Sequence, residues 1–134
     1  MGKGYGQFCP IAKAAELICD RWMPLVLREL MNGSRHFNEL AAGVPLMSRS
    51  LLTQRLRSLE DAKVIVSAPK PGGRGREYLL TPAGDAIRPI IEHLGMWSLR
   101  WSGGDIDPHD IDDAYLSLTL RRVFDGFSAT RAMP

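Results

Sequence analysis

Residues 37–61 constrain the fold most, because their pattern predicts a short helix, a tight turn and a second helix. The first helix is indicated by an apolar stripe at helical spacing, formed by Phe37, Leu40, Ala41 and Val44. Pro45 makes its continuation unfavourable, and Leu46 and Met47 are expected to fill the turn. Ser48 is a suitable N-cap for the second helix, because its hydroxyl can accept a hydrogen bond from a first-turn backbone N–H.

The second helix is expected to have one apolar face and one polar face. Helical periodicity places leucines on the inner stripe and hydrogen-bonding or basic side chains opposite them. The inner residues are Leu52, Leu56 and Leu59, the outer ones are Ser50, Thr53, Gln54 and Arg57, and Arg49 and Arg55 lie on the flanks. Such a pair of helices predicts a DNA-binding helix-turn-helix, whose second helix enters the major groove.

The polar face offers the chemistry that DNA recognition needs. Arginine suits guanine O6 and N7, glutamine suits adenine N6 and N7, and serine or threonine more often contacts phosphates. An ordinary solvated helix is the alternative, but the segment from Arg49 to Arg57 holds three arginines and no acidic residue, which favours DNA. The predicted DNA-binding residues of this helix are Ser48, Arg49, Ser50, Thr53, Gln54, Arg55 and Arg57.

A β-hairpin is predicted directly after the second helix. Residues 64–68 are rich in β-branched side chains, residues 69–75 read PKPGGRG and favour a turn, and residues 76–81 supply the returning strand. We expect this hairpin to be a wing that contacts the phosphate backbone or the adjacent minor groove. A hairpin without a partner and a nucleotide-binding loop are the alternatives, and the second is disfavoured because GGRGR lacks the Walker spacing. The basic residues of the predicted wing are Lys70, Arg74 and Arg76.

A long helix is predicted over residues 82–101, with Thr81 as its N-cap and Pro82 at its first position. A seam of nearly three heptads, beginning at Ala83, suits helix pairing between two subunits, and packing on its own domain is the alternative. The predicted dimer-interface residues on this seam are Ile87, Ile90, Leu94, Trp97 and Trp101. Pro89 should bend the helix, because it removes a hydrogen bond to the carbonyl of Asp85.

Two further helices are predicted before residue 37. The first opens at Cys9 and Pro10, and its apolar residues at helical spacing predict one buried face formed by Ile11, Ala15, Ile18 and Trp22. The second begins at Met23 or Pro24, ends at Gly33 and is apolar enough to lie deep in the domain. The expected fold class is mainly α, an α+β winged helix-turn-helix with a three-helix core, a two- to three-stranded wing hairpin and terminal dimerisation helices.

The charge is unevenly distributed along the chain, although its net value is only +2. Basic residues outnumber acidic ones in residues 1–104, and the opposite holds in residues 105–134, so a polyanionic partner would meet the first part. We expect a DNA-binding domain over residues 1–102 and an acidic C-terminal extension over residues 103–134. The extension is a candidate start of a truncated second domain.

No metal site, cofactor or catalytic site is predicted. The acidic segment that starts at Asp105 lacks calcium-loop spacing, because its sixth position is Asp110 and its twelfth is Leu116. The histidines are scattered and none lies in a motif with a nucleophile, so an enzyme is not expected. The sequence contains no long apolar run and no signal peptide, which predicts a cytoplasmic protein without a membrane partner.

The ordered motifs resemble those of the HxlR-type family of winged helix-turn-helix transcription regulators, which are MarR-like, over about residues 9–97. The resemblance is carried by CPIAKAAELICDRW, LVLRELMNGSRHFNEL, SRSLLTQRLRSLED and EYLLTPAGDAIRPIIEHLGMW. It departs from the family pattern at Asp20 and Arg21, where Gly-x-Lys is usual, and at Ala62 and Lys63. The resemblance implies a homodimeric, sequence-specific regulator, expected to be a repressor, which reads a palindromic operator in double-stranded DNA with residues 48–61 and the basic wing. An interaction module or nonspecific nucleic-acid binder that serves a second, effector-binding domain is the alternative.

Cys9 is a redox-sensing candidate on the same resemblance. In some relatives the cysteine of this CP motif senses oxidants or electrophiles, so a small-molecule or electrophile effector is an expected partner. A helix N-terminus favours the reactive thiolate, which gives the role a physical basis. Packing near the dimer interface is the alternative, and Cys19, within the first helix, is the weaker candidate.

Overall fold

The computed structural model describes residues 4–101. These residues form helices α1 (Pro10–Ile18), α2 (Met23–Met31), α3 (Phe37–Gly43) and α4 (Arg49–Asp61), strands β1 (Ile65–Pro69) and β2 (Arg76–Leu80), and helices α5 (Pro82–Asp85) and α6 (Arg88–Trp101). The chain divides into two units between Ile87 and Arg88, so that α6 belongs to the second unit. The predicted acidic extension and its rejected calcium motif lie outside the described residues.

The core of the first unit is formed by the apolar faces of α2, α3 and α4 with the start of β1. Its fully buried side chains are Met23, Val26, Leu27, Leu40, Leu52, Leu59 and Ile65. Burial of each such side chain contributes about 1.5–3 kcal/mol to folding. The deep position of α2 and the inner leucine stripe of α4 are therefore confirmed.

Helix α1 begins as predicted but buries a different face. Pro10 lies in the first turn, and the sulfur of the N-cap Cys9 accepts a hydrogen bond from the backbone N–H of Ala12 at 3.5 Å. Ala12 is the buried residue of this helix, whereas Ile11 is 79 % exposed. The prediction that Ile11 lies on the buried face was wrong, because the side of α1 that packs in the single chain is the side of Ala12.

Strands β1 and β2 form the predicted hairpin in antiparallel register, from Ile65 opposite Leu80 to Pro69 opposite Arg76. A single bridge between His36 and Glu77 adds a third edge, supported by the backbone N–H of Tyr78 donating to the carbonyl of Arg35 at 2.7 Å. The hairpin thus follows α4 directly and is attached to the segment before α3. This arrangement of helices and hairpin is an α+β winged-helix fold.

The helix predicted over residues 82–101 is two helices, α5 and α6, with Ala86 and Ile87 in a turn between them. Pro89 has no N–H to donate to the carbonyl of Asp85, which removes a hydrogen bond that a continuous helix would need. The predicted continuity was wrong, and the disturbance expected from Pro89 takes the form of a break. Within residues 4–101, every helix is too short or too polar to cross a lipid bilayer.

Candidate DNA interface

The orientation of α4 is fixed at its start and along its inner face. The side chain of Ser48 accepts a hydrogen bond from the backbone N–H of Leu51 at 3.1 Å, which confirms the predicted N-cap. Leu52, Leu56 and Leu59 are at most 2 % exposed, so the helix cannot rotate about its axis without exposing them. The opposite face of α4 is therefore held toward solvent.

The solvent-facing side of α4 carries most of the residues predicted to bind DNA. The exposed members are Ser48, Arg49, Ser50, Thr53, Gln54 and Arg57. The hydroxyl of Thr53 donates to the backbone carbonyl of Arg49 at 3.0 Å, and that of Ser58 donates to the carbonyl of Gln54 at 3.1 Å. The polar face is thus a mixture of basic, amide and partly engaged hydroxyl groups.

Arg49, the first residue of α4, is held by α3. Its Nη2 donates to Oδ1 of Asn38 at 2.7 Å, and its guanidinium carbon lies 4.9 Å from the centre of the Phe37 ring. The first contact is a short, charge-assisted hydrogen bond and the second is a cation–π contact. The two helices of the helix-turn-helix therefore share one basic group at their junction.

Arg55 differs from the other predicted DNA-binding residues because the fold uses its guanidinium. Its Nε donates to the backbone carbonyl of Arg21 at 2.9 Å, and its Nη1 lies 3.6 Å from Oδ2 of Asp20. Its side chain is only 15 % exposed. Arg55 ties α4 to the turn between α1 and α2, a role that the sequence analysis did not predict. No local signal in the sequence indicates this tie, because one of its two partners is a backbone carbonyl in a distant segment.

A second unpredicted tie joins α2 to α3. Glu29 is buried at 3 % exposure, and its Oε1 lies 3.1 Å from Nη2 of Arg28. The same Nη2 donates to the backbone carbonyl of Gly43 at 3.2 Å, at the end of α3. A buried charge needs such partners, and here they hold the first helix of the helix-turn-helix against the core.

The wing tip places two basic side chains in solvent and folds a third back. Lys70 and Arg74 are exposed in the turn, whose left-handed positions, Gly72 at φ 67° and Gly75 at φ 98°, suit glycine. Arg76 is also exposed, but its Nε donates to the hydroxyl of Ser67 at 2.9 Å. Lys70 and Arg74 are therefore exposed cations at the tip of the wing, and Arg76 links its two strands.

The phenol of Tyr78, on strand β2, is partly buried. Burial raises the pKa of its phenol above the ordinary value, the nearby carboxylate of Glu60 raises it further, and Arg76 opposes them. The phenol therefore remains a neutral hydrogen-bonding group at physiological pH.

Comparison with known proteins places this geometry in a family. Residues 17–105 match the HxlR-like helix-turn-helix family. The chain belongs to this family. The HxlR-like chain is 35 % identical over 108 residues to YvaP of Bacillus subtilis (strain 168), an uncharacterized HTH-type transcriptional regulator, with 79 % of the chain and 96 % of YvaP covered. It is 28 % identical over 92 residues to the HTH-type transcriptional regulator YodB of the same strain, covering 67 % of the chain and 82 % of YodB.

Solved structures agree with the assignment. The reduced form of YodB from B. subtilis superposes with a TM-score of 0.61 at 27 % identity, covering 71 % of the HxlR-like chain and 95 % of YodB. The redox regulator HypR in its reduced form has a TM-score of 0.64 at 23 % identity, with 73 % and 100 % covered, and supports the fold alone. The chain is thus a transcription regulator of the HxlR-type, MarR-like winged-helix class, as the motifs indicated.

The seam of α6 is exposed in the HxlR-like chain, with one exception among the predicted interface residues. Ile90, Leu94, Trp97 and Trp101 are between 47 % and 69 % exposed. Ile87 is 9 % exposed and lies in the turn before α6, so it belongs to the core of the first unit rather than to a free surface. The helix break described above is the reason that Ile87 departs from the predicted seam.

Cys9 is exposed and is a free thiol, as is Cys19. Cys9 lies at the N-terminus of α1, whereas Cys19 is its C-cap. Solvent can therefore reach both sulfur atoms in the single chain, and they lie at opposite ends of the same helix.

Proposed function

We propose that this HxlR-type regulator is a homodimeric repressor that binds a palindromic operator. The observation that carries the proposal is the polar face of α4, exposed above leucines that are almost fully buried. A helix held in this way can enter the major groove of B-form DNA without rearrangement of the core. Bound over a promoter, the dimer would prevent transcription by occupying the site.

The proposed contacts divide between α4 and the wing. Gln54 and Arg57 read base edges, with Ser50 and Thr53 beside them, while Ser48 and Arg49 lie near the backbone at the helix start. The wing contributes Lys70 and Arg74 directly and Arg76 through the brace on the hairpin. Arg55 is not included among the proposed base-contacting residues, because its guanidinium is bound to Asp20 and to the backbone of Arg21.

Pairing of two chains is supported by the exposed apolar residues of α6. A two-fold dimer presents two recognition helices, so its operator has two inverted half-sites. The interface proposed here comprises Ile90, Leu94, Trp97 and Trp101. We assign the DNA-binding domain to residues 1–102 and treat residues 103–134 as a separate acidic extension.

Selection of bound sequences from a pool of random duplexes, with the full chain, tests the proposal. The expected product is an inverted repeat whose half-site centres lie about 10 base pairs apart, or a multiple of that spacing. The double variant Gln54→Ala and Arg57→Ala should lose base preference, whereas an unchanged preference would favour an interaction module with incidental DNA contact. Equal affinity of the wild type for random and selected duplexes would exclude a sequence-specific regulator. A promoter reporter that carries the selected site then distinguishes repression from activation.

We also propose that the Cys9 thiol responds to oxidants or electrophiles and so changes operator binding. Its exposure and its place at the N-terminus of α1 support this role. Among the relatives, YodB has been solved in a reduced and a diamide-treated form. Treatment with N-ethylmaleimide, which alkylates one thiol by adding its S–H across the maleimide double bond, should alter operator affinity of the wild type and of Cys19→Ser, and should leave Cys9→Ser unaffected. An equal response of all three proteins would exclude Cys9 as the sensor.

A further inference from the structure

Arg49 is placed differently from the other exposed basic residue of α4. Arg57 lies farther along the outer face, whereas the guanidinium of Arg49 rests on Phe37 and is bonded to Asn38. Both partners belong to the first turn of α3. Arginine has no acceptor atom, so the Asn38 amide must present its oxygen, and the contact has one defined direction.

The position of the Arg49 guanidinium between α3 and α4 determines whether it can contact a DNA phosphate or a base edge. In a docked helix-turn-helix the first helix crosses the phosphate backbone while the second enters the groove. A guanidinium tied to α3 is therefore held on the backbone side of α4. We propose that Phe37 and Asn38 position Arg49 to bind a DNA phosphate and not a base edge, an inference that rests on the DNA binding by α4 proposed above.

The advantage of this arrangement is preorganisation. A free arginine loses rotamer freedom when it binds, and the loss is smaller when the side chain is already held in the binding orientation. The donors of Arg49 that do not face Asn38 remain able to bind phosphate oxygens, which guanidinium groups fit well. Asn38 is thus a positioning residue that acts through Arg49, and Phe37 serves the same purpose with its ring.

A double-mutant cycle on the full chain separates positioning from other roles. Dissociation constants for Asn38→Ala, Arg49→Gln and the double variant are measured on the selected operator and on a random duplex, at several salt concentrations. Asn38→Ala should weaken binding to both duplexes by about three- to tenfold, which corresponds to ordering one long side chain. Arg49→Gln should lower the salt slope by about one unit. In the Arg49→Gln background, Asn38→Ala should change affinity by less than about twofold.

Phe37→Leu provides a second arm, because leucine keeps the apolar stripe of α3 and removes the ring. Its loss of affinity should also disappear in the Arg49→Gln background, and thermal unfolding of every variant identifies any general damage to the fold. Unchanged or higher affinity of Asn38→Ala would overturn the inference, since Arg49 would then leave Asn38 in order to bind. If Asn38→Ala or Phe37→Leu still lowers affinity in the Arg49→Gln background, the inference is also wrong. It is wrong as well if Arg49→Gln changes base preference at one operator position and keeps the salt slope.

Failure of the inference is distinct from failure of the proposed function. A wild type without preference for the selected operator would contradict the sequence-specific role. In that case the cycle on random duplex still decides the positioning, because a phosphate contact does not depend on sequence.

Discussion

Gly84 of α5 lies so close to the backbone carbonyl oxygen of Val64 that a Cβ atom at position 84 would overlap it. The backbone N–H of Thr81 donates to the same carbonyl at 3.0 Å, and the Thr81 hydroxyl accepts from the N–H of Gly84 at 3.1 Å. The end of β2 and the start of α5 therefore pack against the backbone just before β1. This contact involves backbone atoms, so a larger residue has little room to adjust.

Gly84→Ala should destabilise the protein by about 1–3 kcal/mol, because the added methyl group must displace the β1 backbone or α5. Chemical denaturation of both proteins measures the difference. Gly73→Ala is the matched control, since the atoms nearest to a Cβ at that position belong to the exposed, flexible side chain of Lys70. The control should remain within about 0.5 kcal/mol of the wild type. Equal stability of the two variants would show that the fold relaxes around position 84.

Arg55 and Arg57 are two residues apart in sequence and should behave differently when each is replaced by alanine. Arg55→Ala should reduce the free energy of unfolding by about 1 kcal/mol, because it removes a charge-assisted hydrogen bond and an ion pair. Arg57→Ala should leave the free energy of unfolding nearly unchanged. It should weaken binding to the preferred operator by about 1–3 kcal/mol. Denaturation and operator titration of both variants make the comparison. If Arg55→Ala is as stable as the wild type but has reduced base preference, Arg55 contacts DNA bases and does not stabilise the fold.

The wing should contribute affinity without base preference. Lys70→Ala and Arg74→Ala should each lower the dependence of log K on log salt by about one unit and leave the ranking of operator variants unchanged. Arg76→Ala should change the slope less, because Arg76 also braces Ser67. Titrations at several salt concentrations test all three. An altered sequence ranking in Lys70→Ala or Arg74→Ala would mean that the tip reads the groove directly.

Dimerisation should depend on the exposed side of α6. Leu94→Asp should give a monomer in sedimentation experiments and reduce operator affinity, because a carboxylate in an apolar seam opposes its burial. Val66→Asp is the matched control, since Val66 and Leu94 are exposed to a similar extent, 52 % and 50 %. The control should remain dimeric. Two dimeric variants would place the interface on another surface.

The parts of the fold that local chemistry specifies were predictable. The hydroxyl of Ser48 has a backbone N–H within reach in the first turn of any following helix, so its capping contact was readable from one residue type in one position. The glycines of residues 72–75 and the β-branched run before them indicated the hairpin in the same way. Turn and cap signals act over a few residues, and such signals survive in a single sequence.

Contacts between distant segments were not predictable in this way. The partners of Arg55 lie in the turn before α2, and periodicity assigned this arginine only to a flank of its own helix. Leu46 was expected to fill the turn beside Met47, but it is 89 % exposed while Met47 is buried. The packing of α2 and α4 determines which of these two adjacent apolar residues is buried. No short sequence pattern indicates that packing. The exposure of the polar face of α4 was predictable, because it follows from helical periodicity alone.

Thr53 has already given its only hydroxyl proton to the carbonyl of Arg49. In the DNA-binding mode proposed above, and while this hydrogen bond is kept, Thr53 would offer only oxygen lone pairs and a methyl group to the major groove. A base opposite it must therefore supply the proton, as the exocyclic amines of adenine and cytosine do, or present a methyl surface, as thymine does. Guanine shows only acceptors on that edge, so an operator is expected to avoid guanine where it meets Thr53.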